Sequence, residues 1–178
     1  MNIIEALRTR HSTKSFSSAS VPPQMLLELI DVARHAPSGS NKNPWRFLLI
    51  TKRETLVRLS QTHPFCNWLA SAQAGIAIVV DPTSSRYWLE DCCLAAYSIW
   101  LAAMSHGLGA AWAAIHQSDN PVESERRQKF VREALLIPDK LQIPMLLGIG
   151  YPLPSNPQRK LPSVEEIVYW ERYTLADK

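Results

Sequence analysis

An α/β or α+β domain around a small sheet is predicted by three observations. Helical and strand-like segments alternate along the chain, with more helix than strand. The run from Ala74 to Val80 is continuously apolar and fits a fully buried strand. The segment after Asp91 is apolar on nearly all sides as far as Met104, as a helix at the centre of a domain would be. A length of 178 residues, 46% hydrophobic and 20% charged, suits one domain with a substantial core. No repeat, low-complexity tract or linker divides it, so residues 1–178 are read as a single domain.

In chain order, Asn2 can cap a short helix whose apolar side carries Ile3, Ile4 and Leu7. Pro22 and Pro23 suit entry into a helix from Gln24 to about His35, striped by Leu26, Leu27, Leu29, Ile30 and Ala33 and stopped by Pro37. Phe47 to Thr51 reads as a short strand and Glu54 to Gln61 as a helix. Phe65 to Ala72 reads as helical and leads into the Ala74–Val80 strand, which Asp81-Pro82 terminates. The long helix lies near Tyr87 to His106, with Gly107 as its C-cap. Gly109 to Ile115 forms a third strand of small and aromatic residues. A charged helix from about Glu123 to Leu136 turns Phe130, Val131, Ala134 and Leu135 inward, and Ile143 to Tyr151 is a fourth strand. Beyond an extended Pro157–Pro162 stretch, Ser163-Val-Glu-Glu166 has the form of a capping box and opens an amphipathic helix to about Tyr173.

Several function classes lose support early. A net charge of +3, with no Lys/Arg run longer than a dipeptide, argues against nucleic acid. Cys66, Cys92 and Cys93 are a poor disulfide framework, which points to reduced thiols and a cytoplasmic setting. Without Cys-x-x-Cys or His-x-x-x-His, no metal site is expected. Met-Asn-Ile-Ile-Glu places an acid where a signal peptide would be basic and apolar. The Cys92–Met104 stretch is shorter than the roughly 20 residues a membrane span needs. Gly107-Leu-Gly109 and Gly148-Ile-Gly150 each lack the third glycine of a dinucleotide fingerprint, and no P-loop or Gly-x-Ser-x-Gly elbow occurs. The acid pairs Glu90-Asp91 and Glu165-Glu166 read as helix-surface charges. His116, after the third strand, is either a polar strand end or a proton donor near a ligand.

Two stretches carry the chemistry. Arg8-Thr-Arg-His-Ser-Thr-Lys-Ser-Phe16 sets Arg8, Arg10 and Lys14 beside Ser12, Thr13 and His11 with no carboxylate among them. Such a cluster suits a phosphate, through charge-assisted bonds and short hydroxyl bonds; a solvated basic face past a helix end is the alternative. Pro37-Ser-Gly-Ser-Asn-Lys-Asn-Pro-Trp45 is either a surface connection or a recognition loop whose amides, hydroxyls and Gly39 backbone face a polar ligand.

Together these pieces resemble the FMN-dependent nitroreductase family, over about Asn2 to Tyr173. Arg10-His-Ser-Thr-Lys14 followed by Phe16 is similar to its flavin phosphate and ring-edge motif. Pro37-Ser-Gly-Ser-Asn41 before Pro44-Trp45 looks like its second flavin loop. Gly107-Leu-Gly-Ala-Ala-Trp112 resembles the end of its central helix, and Arg159-Lys160 its C-terminal phosphate clamp. The resemblance implies a short, single-domain α+β member: a three-layer fold with a small mixed sheet flanked by helices. It further implies a homodimer holding two FMN at the subunit interface, with the 157–178 tail packed on the partner.

By that resemblance Arg10, His11, Ser12 and Lys14 contact phosphate, ribityl chain and pyrimidine edge, and Arg159 and Lys160 close on the phosphate. Pro37, Ser38, Gly39 and Asn41 come from the other subunit, Asn67 lies near the ring, and backbone groups of Ala113, Ala114 and Ile115 lie against the reactive N5 side. Arg8 and Thr13 face solvent or the partner, and Phe16 packs. The implied reaction is ping-pong hydride transfer from NADH or NADPH to nitroaromatic, quinone or similar small electron-poor acceptors. No protein nucleophile is needed, and Lys14 stabilises charge on the reduced ring. A flavin sensor, carrier or store is the alternative, as is the same fold doing enone reduction or dehalogenation. The chain departs from the pattern at Asn43, where many members carry Gln, and at Ala114, where some carry Glu. Only six residues separate Val80 from Tyr87, so the helical excursion that covers substrate in longer members is missing.

Overall fold

Strands β1 (Trp45–Ile50), β2 (Ala74–Val80), β3 (Gly109–Ala114) and β4 (Met145–Gly150) form one sheet in the order β1-β2-β4-β3. The computed structural model describes residues 2–155 and 160–173. Its helices are α1 (Ile3–Thr9), α2 (Pro23–Ala33), α3 (Arg53–Leu59), α4 (Trp88–Ser105), α5 (Pro121–Leu135) and α6 (Val164–Ile167). Short 3-10 segments occupy Gly39–Asn41 and Pro64–Ser71.

The fold is the expected three-layer α+β arrangement. Alternation along the strands sends Ile76, Ile78, Leu147, Ile149 and Ala110 to one face, where they meet Leu26 and Leu29 of α2 and Ala95, Ala96, Ile99 and Ala103 of α4. Ala77, Val79, Leu146, Ala111 and Ala113 face the other way, against Leu56 and Leu59 of α3, Trp68 and Leu69 of the second 3-10 segment and Val131 of α5. β2 is buried at all seven positions, as its sequence predicts.

The sheet corrects one expectation: every pairing among the described strands is antiparallel, so the sheet is not mixed. β2 and β3 run the same way on either side of α4, but they are not neighbours. β4 lies between them in the opposite direction and turns both contacts antiparallel.

Local signals explain most helix ends. Asn2 caps α1 through the Glu5 amide, and α1 packs against α4. At the end of α4, Gly107 takes φ +71° while Leu108 and Gly107 donate to the carbonyls of Ala103 and Met104, the double bond of a Schellman cap. α5 differs inwardly from expectation. Val131 is buried, but Phe130, Ala134 and Leu135 are only half-buried, and Ser124, Arg127, Gln128 and Arg132 join Val131 inside. These polar groups are satisfied there: Arg127 donates to the Ala114 carbonyl, Gln128 exchanges two 2.9 Å bonds with Ile143, and Arg132 donates to the Leu141 carbonyl.

The tail helix is shorter than predicted. Ser163 and Glu166 form the capping box, but α6 ends at Ile167 rather than near Tyr173. Residues 160–173 are all exposed, so no apolar face is buried to sustain a longer helix.

Candidate functional site

The basic stretch leaves α1 as an extended strap along the sheet end. Thr13 N–H donates to the Ala110 carbonyl, Ser17 N–H to that of Tyr151, and Leu153 N–H to that of Ser15. Glycines admit the strap: a Cβ on Gly109 would overlap the Thr13 side chain, and one on Gly150 would press on Phe16. Thr13 is thus buried, not facing solvent or a partner, while Phe16 packs as expected. The second glycine of each Gly-x-Gly pair, Gly109 and Gly150, thus has a steric role in seating the strap, whereas Gly148 makes room for Trp68.

Around Thr13, Ser12 and Lys14 are exposed, and Arg10 and His11 are half-buried. His11 Nδ1 lies 3.2 Å from the Thr9 carbonyl and Nε2 3.4 Å from Ser155 Oγ. Two adjoining pockets share His11 and Thr13. One, of about 280 Å³, is lined by Ser12 and Lys14; the other, of about 210 Å³, by Trp100, Met104 and Gly107–Ala110. Both fall short of the roughly 300–1,000 Å³ of an ordinary cofactor site.

β3 adds backbone groups to the same edge of the molecule. It is an edge strand, and residues along it turn their N–H and C=O alternately toward and away from β4. The Ala110 and Ala114 carbonyls are taken from outside by Thr13 and Arg127, so Ala110, Trp112 and Ala114 present their polar groups to the open edge. Ile115 instead donates inward to the Pro144 carbonyl. Of Ala113, Ala114 and Ile115, only Ala114 offers its amide to a ligand beside β3, and its side chain is exposed while the other two are buried.

The second motif is held at the other end of α4. Gly39 N–H donates to Asp91 Oδ1 at 2.8 Å, Ser85 Oγ donates to Oδ2 at 2.7 Å, and Asp91 is 2% exposed. Ser38 Oγ accepts the Asn43 amide and donates to its side-chain carbonyl, closing the loop. Ser40, Asn41 and Asn43 all have positive φ, and strain held this firmly is characteristic of functional loops. Pro37 and Asn41 are exposed, with Ser38 and Gly39 half-buried.

The strap and this loop do not meet. The strap is fixed beside Gly109, the loop beside Asp91, and α4 from Asp91 to its end at Ser105 rises about 21 Å. Asn67 is exposed in the second 3-10 segment, whose core residues lie on the sheet face opposite α4. Lys160 is exposed in the tail, and Arg159 lies outside the described residues.

Sequence reasoning missed three residues here. Asp91, read with Glu90 as a surface charge, is the buried anchor of the loop; an acid standing directly before the apolar stretch of the helix was the available signal. Tyr87 packs where a Gly39 side chain would stand. The Trp100 ring lies under Arg10, with the guanidinium carbon 4.8 Å from its centroid.

Other groups are poor reactive centres. Burial pushes the Cys66 thiol up to about 11 and the Cys92 thiol up to about 12, and all three cysteines are free. His116, stacked edge-on against Trp88 at 5.0 Å, has its pKa lowered by burial. A larger concavity of about 670 Å³ beside α5 contains neither motif, and its Arg132 is committed to Leu141 and Glu125.

Comparison with known proteins shows the family. The model of the Nitroreductase family matches residues 7–74 and 61–151. A relative from Archaeoglobus fulgidus, provisionally named an NADH dehydrogenase/NAD(P)H nitroreductase, is 31% identical over 84% of this chain and 84% of its own. An FMN-dependent nitroreductase structure from Clostridium difficile superposes with a TM-score of 0.82 at 26% identity, covering 96% of this chain and 100% of that one. An iodotyrosine deiodinase from Thermotoga neapolitana is 24% identical over 96% of this chain and 98% of its own. The strap, the anchored loop and the open β3 edge are thus those of a chain that belongs to the Nitroreductase family.

Proposed function

We propose that the protein is a flavin-dependent NAD(P)H oxidoreductase whose site is completed by a second copy of the chain. The observation that carries this reading is the separation of the two motifs along α4. Each end of the helix holds half of a polar site, and an antiparallel pairing of two α4 helices would bring unlike halves together. Apolar side chains left exposed on α1 (Ile3, Ile4), on α4 (Leu94, Tyr97) and in the tail (Ile167, Trp170) support such an interface.

The residues present fit FMN. Arg10 and Lys14, with Lys160 from the tail, supply cations for a dianion. Ser38 and Asn41 supply hydroxyl and amide partners, and Trp112 with Ala114 an apolar wall beside open backbone donors. Bound FMN would accept a hydride from NADH or NADPH and pass it to an electron-poor acceptor, in ping-pong order. Within that scheme Arg10, His11 and Ser12 hold the phosphate end, and Lys14 favours negative charge at the pyrimidine edge. The Ala114 amide stands as a donor on the open edge. The short connection between Val80 and α4 carries no helical excursion, so the acceptor side is either more open or roofed by other elements, and nitroaromatics and quinones are the acceptors proposed. Dehalogenation is the second reading, on the strength of the deiodinase relative.

Purified protein should be yellow, or become so on reconstitution with FMN, and should bleach anaerobically on adding NAD(P)H. A colourless protein that FMN cannot reconstitute would overturn the proposal; a yellow one that NAD(P)H cannot bleach would make it a carrier.

A further inference from the structure

We infer that Trp100 is a positioning residue for Arg10, holding the guanidinium against its ring face so that it meets the anionic end of the ligand. This rests on the flavin reading above and adds a residue to it. The guanidinium carbon lies 4.8 Å from the Trp100 centroid, within cation–π range. Trp100 is 5% exposed, lines the pocket shared by His11 and Thr13, and has the Trp112 ring 6.5 Å away.

Two features separate this role from core filling. First, Trp100 Nε1 is buried with no hydrogen-bond partner. A buried, unpaired N–H is a liability in folding, and an apolar residue of similar bulk would avoid it. The benefit of an indole here therefore lies in its face, and that face carries Arg10. Secondly, the flat ring face, stacked under the planar guanidinium at 4.8 Å, sets the plane of the group and so the direction of its N–H fork. Fixing Arg10 before binding also reduces the ordering required when the ligand arrives.

The test is a double-mutant cycle read by FMN titration of apoprotein and by thermal melting. Trp100→Leu should weaken FMN about five- to tenfold, and Trp100→Phe, which keeps a ring face, about two- to threefold. Trp100→Phe should melt close to the unsubstituted protein, because loss of the unpaired N–H offsets the small void left by the smaller ring, so that affinity and stability part company. In an Arg10→Ala background, Trp100→Leu should leave FMN affinity about unchanged. If Trp100→Leu does not fold, the same cycle is run with Trp100→Phe. Equal losses in both backgrounds, or affinities that simply follow melting temperature, would overturn the inference while leaving the flavin reading intact. Failure of the unsubstituted protein to bind FMN would overturn both.

Discussion

The Gly39 amide and the Asp91 carboxylate, 52 positions apart in the chain, meet in a 2.8 Å hydrogen bond that ties the second motif to the start of α4. Ser85 shares the same carboxylate at 2.7 Å, so one buried acid orders both approaches to the helix. Asp91→Ala would leave a half-buried amide and a buried hydroxyl without their acceptor, at a cost of about 1–3 kcal/mol. The expected outcome is a melting temperature several degrees lower together with weakened FMN retention, checked by thermal denaturation and by flavin absorbance after gel filtration.

Gly39 is needed for closeness. An added Cβ would stand 2.5 Å from Tyr87 Cδ2, so Gly39→Ala should displace the loop and weaken FMN binding. Removing the obstacle should undo the damage. FMN titration should show Gly39→Ala/Tyr87→Ala binding more tightly than Gly39→Ala alone.

Two arginines should respond differently. Arg53 donates to the carbonyls of Ala70 and Ala72 and to Gln73 Oε1, tying the end of the second 3-10 segment to α3. Arg53→Ala should lower stability and leave FMN affinity about unchanged. Arg10→Ala should weaken FMN by about ten- to a hundredfold, the range of a hydrogen bond to a charged group. Paired titrations and melts distinguish the two outcomes.

Acid should destabilise the protein in a predictable window. The His63 pKa is held below its ordinary 6.5 by burial first, then by Arg127 and Arg126, with Glu123 opposing. Its Nδ1 accepts the Phe65 amide at the start of the second 3-10 segment, a bond only the unprotonated nitrogen can make. Folding thus favours neutral His63. Its contribution is complete above about pH 6.5 and is lost as pH falls toward the lower folded value. His116 has the same sign, from burial alone. His63→Asn, which can still cap the segment, should flatten the fall in stability below that pH in denaturant titrations.

The parts legible in the sequence were those fixed by local rules. Ala74–Val80 is the strand to the residue, because a continuous apolar run has nowhere else to go in a three-layer fold. Gly107 marked the end of α4, because only a left-handed residue closes that cap. What escaped notice depended on distant partners. Asp91 and Thr13 are polar residues buried by contacts with Gly39 and Gly109, and no local pattern shows such contacts. The polar inner side of α5 is buried because Arg127, Gln128 and Arg132 reach strand-end and loop carbonyls far along the chain. The tail helix had its capping box, but among the described residues it buries no side chain against the rest of the chain.

The central claim is that the strap of one subunit and the loop of another build each site. It is tested most directly by mixing two defective variants, Arg10→Ala and Asp91→Ala, as subunits of one preparation. Half of the randomly formed dimers would be mixed, each with one intact and one doubly damaged site, so about a quarter of full FMN occupancy should return. If the mixture holds no more flavin than the separate variants, the two motifs do not build one shared site, and the composite account is wrong.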